Sequence, residues 1–218
     1  PIVMEWTNYL YAMGGEIYDK DMKAVINSEA GVKAAEMYVD LIKNAAPPGA
    51  EGFNLDDANN VFGQDKAWSM ISYNFMLTWL NDPSQSKVVD KARMTRMPGK
   101  AGLLGGWGWA IPKSSPHPEA AWEFIKWVES PEIALARGMA GGMPTRMDVY
   151  NNPEFQAKYP WQKDMLEIIK VNKPVPAISR SPQMIEVIGI NMSEAVAGSK
   201  TPKQAMDDAA EQLAELVQ

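Results

Sequence analysis

Apolar positions recur at helical spacing along most of the chain. Residues 2–13, IVMEWTNYLYAM, predict an aromatic-rich helix that Gly14-Gly15 closes, since glycine accepts the left-handed cap geometry. An exposed ribbon follows over 16–26, turning at Asp19–Asp21. Ser28 opens a helix to about Asn44 with the apolar stripe Val32, Ala35, Val39 and Ile42. Pro47-Pro48-Gly49 breaks the chain. A short helix is expected over 54–62, with Asp56 and Asp57 in the first turn, where the helix dipole favours them. Another is expected over 74–81.

Short apolar runs predict strands: a buried one at 67–72 (AWSMIS), one at 88–97, and one at 105–112 entered through Gly105-Gly106. A helix then covers 118–129 with Ala121, Phe124, Ile125 and Val128 inward. Ser130-Pro131 caps and starts the next, which Gly141-Gly142 closes. Helical stretches follow at 153–158 and 160–171, then from Ser181-Pro182 to about Ala197. Thr201-Pro202-Lys203-Gln204 is a capping box, and the last helix turns Met206, Ala209, Leu213 and Leu216 to one side. Short strands scattered among more numerous helices point to an α/β class. No internal repeat, low-complexity tract or Gly/Ser linker divides the chain.

Composition narrows the chemistry. The 218 residues suffice for one large domain or two small ones, and 46% hydrophobic with 22% charged residues is an ordinary globular balance. A net charge of -6 argues against nucleic acid as a partner, which needs a basic surface. With no cysteine, disulfides, zinc–thiolate sites and thiol nucleophiles are excluded. The single histidine, His117, rules out sites built on several imidazoles. It stands between prolines at a helix start and reads as a cap or surface residue. No run of about 18 apolar residues offers a membrane span. No signal peptide opens the chain, and Pro1 reads as a processed or truncated start.

The order of several segments carries a resemblance. Trp6-Thr7-Asn8-Tyr9-Leu10-Tyr11 with Gly14-Gly15-Glu16, then VINSEAGVKAAEMYVDLIKN (25–44), then VFGQDKAWSMI (61–71) resemble consecutive pieces of the family 1 extracellular solute-binding proteins, the maltose-binding-protein-like group. At Asp65 this sequence departs from that family's usual glycine. The most specific stretches are GGWGWAIPKSSPHPEAAWEFIKWVESPE (105–132) and GGMPTRMDVYNNPEF (141–155). The family's opening βαβ-rich half has no counterpart, so roughly 150 or more further residues are expected by comparison with its pattern.

The resemblance implies a periplasmic-binding-protein type II fold, mostly the helix-rich C-terminal lobe plus a segment of the N-terminal lobe. Residues 1–97 and 144–218 would form the C-terminal lobe, and 98–143 an excursion into the N-terminal lobe with an uncovered apolar surface. It implies no enzyme and no cofactor or metal. The expected role is a periplasmic receptor, or a lipid-anchored extracellular one, that hands a sugar or polyol to ABC importer membrane subunits. Such sites combine aromatic faces for sugar C–H surfaces with polar groups for hydroxyls. The candidates are Trp6, Tyr9, Tyr73, Asn74, Gly105, Gly106, Trp107, Arg146 and Arg180. Trp107 is assigned to the solute and Trp109 to the core, although strand periodicity puts both on one face. Trp6 and Tyr9 read either as cleft or as packing aromatics, and Arg146 either as a clamp or as a hinge salt bridge. An acidic solute, read by Arg146 and Arg180, is the alternative within the family. A carbohydrate-processing enzyme using Glu5 and Glu16 is the alternative from another class.

Overall fold

A computed structural model describes residues 2–217. Its helices are α1 (Ile2–Ala12), α2 (Glu29–Asn44), α3 (Leu55–Gly63), α4 (Met76–Leu80), α5 (Pro118–Val128), α6 (Pro131–Met139), α7 (Met147–Tyr150), α8 (Pro153–Lys158), α9 (Gln162–Val171), α10 (Ser181–Ala197) and α11 (Pro202–Ala214). Single 3-10 turns lie at Ala50–Gly52 and Glu215–Val217.

The main core joins the two ends of the chain. Trp6, Leu10 and Tyr11 of α1 pack with Ala34, Ala35 and Tyr38 of α2, Met184, Ile188 and Met192 of α10, and Met206, Ala209 and Leu213 of α11. Full burial of each larger side chain contributes about 1.5–3 kcal/mol. Local chemistry sets the helix ends. The Ser28 hydroxyl accepts from the Gly31 amide, and Thr201 and Gln204 form the reciprocal capping box expected of them. A Cβ on Gly31 would lie 1.8 Å from the Ile26 carbonyl oxygen, so only glycine fits that turn. Two smaller cores follow. One gathers Ala134, Val149, Tyr150, Phe155, Tyr159, Met165 and Ile168 from α6 to α9, and the other Leu77, Leu80, Val88 and Ala92. Met94 and Trp161 pack against both.

Three expectations are corrected. The segments 67–72, 88–97 and 105–112 form no strands; among the described residues the only ladder contacts are isolated bridges, Tyr18 to Ala24 and Leu103 to Lys173. A strand exists only through a partner, and nothing pairs with these segments. Trp68, expected inside a buried strand, is 97% exposed. Second, the ribbon at 16–26 is not exposed throughout: Ile17, Tyr18 and Ile26 are buried, and the Tyr18 hydroxyl donates to the Leu213 carbonyl at 3.0 Å. Third, of the inward face expected for α5 only Val128 is buried. Trp122, Phe124 and Trp127 are about half exposed, and so is Trp109, which was expected in the core. Its ring meets Phe124 edge-on at 5.7 Å instead. The short helix α7 has too few residues to show a period in the sequence.

Candidate functional site

Residues 99–104 form a strap tied across two helices. Gly99, at φ +109°, passes so close to α1 that a Cβ would sit 2.3 Å from the Ala12 carbonyl oxygen. The Lys100 amide donates to that same carbonyl at 2.9 Å. Asn8 of α1 accepts the Leu103 amide at 2.8 Å, and its own amide group donates to the Met4 carbonyl at 2.9 Å. Asn172, just after α9, accepts the Gly102 amide at 2.9 Å and donates to the Leu103 carbonyl at 3.1 Å. Lys173 adds two backbone bonds, its amide to the Gly102 carbonyl at 2.9 Å and its carbonyl from the Leu104 amide at 2.8 Å. Every backbone polar group from Gly102 to Leu103 thus has a partner, so the strap is fixed.

Beyond Leu104 the chain leaves this support. Gly105 to Ala110 are all exposed, Trp107 at 99%. Tyr73 lies beside the strap's exit, its ring 3.7 Å from where a Gly105 Cβ would stand. Tyr73 and Phe75 stack at 5.6 Å and 14°, and both are 42% exposed. Between them in sequence, the Asn74 amide donates to the Met165 sulfur at 3.4 Å.

Toward residue 143 the chain is tied at several points: the Met139 carbonyl accepts from Lys158 Nζ at 2.7 Å and from the Tyr159 hydroxyl at 3.0 Å. The Thr78 hydroxyl donates to the Gly141 carbonyl at 3.4 Å, and the Gln162 amide to the Met143 sulfur at 3.4 Å. Glu129 gathers the neighbouring pieces: it accepts from Trp109 Nε1 at 3.0 Å, Arg137 at 2.9 Å and Thr145 at 2.9 Å. Arg137 foremost, then Thr145, holds this carboxyl below the usual range.

Of the candidates, the structure brings together Tyr73, Asn74 and Gly105, with Gly106 and Trp107 continuing from the last. Trp6 lies elsewhere, 0% exposed in the main core, which is the packing alternative left open from the sequence. Tyr9 meets Tyr38 edge-on at 5.5 Å. Burial and the Glu5 charge push its phenol up to about 12. Arg146 grips Asp148 through Nε at 3.0 Å and a terminal nitrogen at 2.8 Å. Arg180, at the start of α10, reaches the Glu215 carbonyl at 3.4 Å. Glu5 accepts from the Tyr38 hydroxyl at 3.0 Å, and Glu16 pairs with Lys173. Sequence reasoning missed Phe75, Asn8, Asn172 and Gln162. Phe75 carried a signal, being two residues from Tyr73. Asn8 and Asn172 carried none, because their partners lie 95 and 70 residues away. No group of three His, Asp or Glu side chains suited to a metal occurs among the described residues, and none of their helices is long and apolar enough to cross a membrane.

Comparison with known proteins gives a consistent set of relatives. Residues 3–135, more than half of the chain, match the family described as bacterial extracellular solute-binding protein. A probable amino-acid ABC transporter periplasmic-binding protein of Sinorhizobium fredii is 29% identical over 93% of this chain and 47% of its own length. Among solved structures, maltose-bound MalE3 of T. maritima superposes with a TM-score of 0.89 at 29% identity, over 99% of this chain and 57% of that one. An ABC transporter solute-binding protein of Agrobacterium radiobacter K84 in complex with ribitol gives 0.86 at 31% identity, over 97% and 55%. The chain spans about half the length of the curated relatives it matches.

Proposed function

Because the chain belongs to the bacterial extracellular solute-binding protein family, we propose that it forms part of the substrate-binding component of an ABC importer. The fold is the type II periplasmic-binding fold in a helix-rich, partial form, as the resemblance implied. The solute is a sugar, oligosaccharide or sugar alcohol, held in a cleft between two lobes and passed to the membrane subunits. The observation that carries this reading is the grouping of Tyr73, Phe75, Asn74 and Gly105 at the exit of the strap. It offers flat apolar faces beside an amide and a bare backbone, the two tools that a carbohydrate site needs.

We read the lobe division from the same feature. Residues 1–97 and 144–218 belong to one lobe, and 98–143 cross into the other. The half-exposed aromatics Trp109, Trp122, Phe124 and Trp127 on that excursion support it, as a face made for a partner. Trp107 stacks on or edges the solute, with Gly105 and Gly106 presenting backbone. Tyr9 completes the helical side.

Neutral solutes are favoured over acidic ones. Arg146 already spends its fork on Asp148, and Arg180 is engaged at the far end of the chain, so neither is a free clamp for an anion. The relatives bear the names of binding proteins, not enzymes. Glu5 and Glu16 are likewise tied to Tyr38 and Lys173. The expected location is the periplasm, or a lipid anchor at the cell surface, and the family's description as extracellular supports a place outside the cytoplasmic membrane.

Thermal-shift measurements on the complete protein carrying this chain test the reading. Maltose, ribitol, sugar phosphates and amino acids form the panel. A cognate solute at a hundred times its dissociation constant stabilises by about 2.7 kcal/mol. A shift with a neutral sugar or polyol is the expected result. A shift with phosphates or amino acids alone overturns the solute class, and turnover of the sugar overturns the receptor role.

A further inference from the structure

Gln162 stands at the first turn of α9 with its side chain 2% exposed. Its Oε1 has no hydrogen-bond partner among the described residues, and its Nε2 has only the Met143 sulfur, at 3.4 Å. The neighbouring Trp161 has a buried indole N–H that is likewise without an acceptor. Buried polar groups are nearly always paired, so two adjacent orphans, one an acceptor and one a donor, call for a physical cause. Sulfur is a weak acceptor and fills the place of a stronger one poorly.

The pattern repeats one turn along the same helix. Asn74 donates to the sulfur of Met165, three residues after Gln162 on α9. Two primary amides thus rest on thioethers. Asn74, which makes one of these contacts, directly follows Tyr73 of the proposed solute platform, and Met143 receives the other.

Resting on the receptor reading above, we propose that Gln162 is a solute-reading residue, whose amide exchanges the Met143 sulfur for a hydroxyl of a neutral polyol or sugar. A hydroxyl donates and accepts at once, so it satisfies both ends of the amide whichever way that amide is turned. An ionised carboxylate or phosphate only accepts and leaves Oε1 bare, so Gln162 selects against acidic solutes. Met143 holds the site until the solute displaces it.

The test uses the complete protein and calorimetric titration with ribitol and with maltose. Gln162→Met keeps the bulk and removes the polar atoms. The expected result is an affinity at least tenfold weaker for the solute that binds, with the melting temperature of the free protein unchanged or raised. An unchanged affinity overturns the proposal. Met143→Leu should keep affinity within twofold; a loss equal to that of Gln162→Met shows that Gln162 acts only by packing on Met143 and also overturns it. Should Gln162→Met not fold, Gln162→Glu takes its place, being nearly the same shape without the donor, and must weaken binding too. If no sugar or sugar alcohol binds the unsubstituted protein, the receptor reading falls and this inference falls with it; binding that Gln162→Met leaves intact removes the inference alone.

Discussion

Replacing Trp6 by alanine removes an indole that is wholly enclosed by α1, α2 and α10, and should cost about 3–5 kcal/mol in denaturant unfolding. Replacing Trp107 should leave stability within about 0.5 kcal/mol, since its ring touches solvent on nearly every side. On the receptor reading the order should reverse in the complete protein, with Trp107→Ala weakening solute affinity measured by titration. The sequence could not separate these two tryptophans, because residue type sets the chemistry available while burial is decided by elements far away in the chain. Glu5 makes the same point through pH. Burial foremost raises its pKa, with the Tyr38 hydroxyl acting in the opposite sense. A carboxyl with a raised folded-state pKa contributes its stability at low pH and loses it as the pH rises through that raised value. Glu5→Gln should therefore flatten this part of the profile of melting temperature against pH.

At the scale of elements, local signals were the legible ones. Ser28, Asn54 and Thr201 each cap the helix they were read to open, because a cap needs only a side chain and amides two or three residues on. Thr201→Ala should cost about 0.5–2 kcal/mol in chemical denaturation, by freeing the Gln204 amide. The expected strands failed for the converse reason. Their apolar runs were real, but a strand is completed by a neighbour, and the described residues supply none for 67–72 or 105–112. The strap was invisible for a related reason: Asn8 and Asn172 are common residues whose meaning lies in amides they meet only after folding. Asn172→Ala should speed hydrogen exchange at the Gly102 amide and leave Leu103, held by Asn8, protected for longer.

The whole molecule has one closed side and one open side. The body of α1, α2, α10 and α11 buries its aromatics and leaves only single apolar side chains such as Met37 and Ile190 half exposed, whereas α5 and the stretch before it leave four large aromatics half uncovered. Residues 1–218 by themselves should self-associate with rising concentration, as sedimentation would register, and, on the receptor reading, should bind a solute far more weakly than the protein carrying both lobes. Micromolar affinity in residues 1–218 alone would contradict the view that the solute needs a second wall. The fold class was legible because several motifs kept their order over nearly the whole chain, while the site was only partly so. The strap and the stretch that ends at Met143 are both pinned. The outgoing strap has amide bonds on both flanks, and the stretch before Met143 is anchored as well, since α6 shares a core with α7 to α9 and the Met139 carbonyl accepts from Lys158 at 2.7 Å and Tyr159 at 3.0 Å. A segment pinned at both ends moves most in its middle. Displacements of residues 105–142 should therefore be largest over 105–130, between the strap and α6, and small at both ends, which hydrogen exchange along the segment would register.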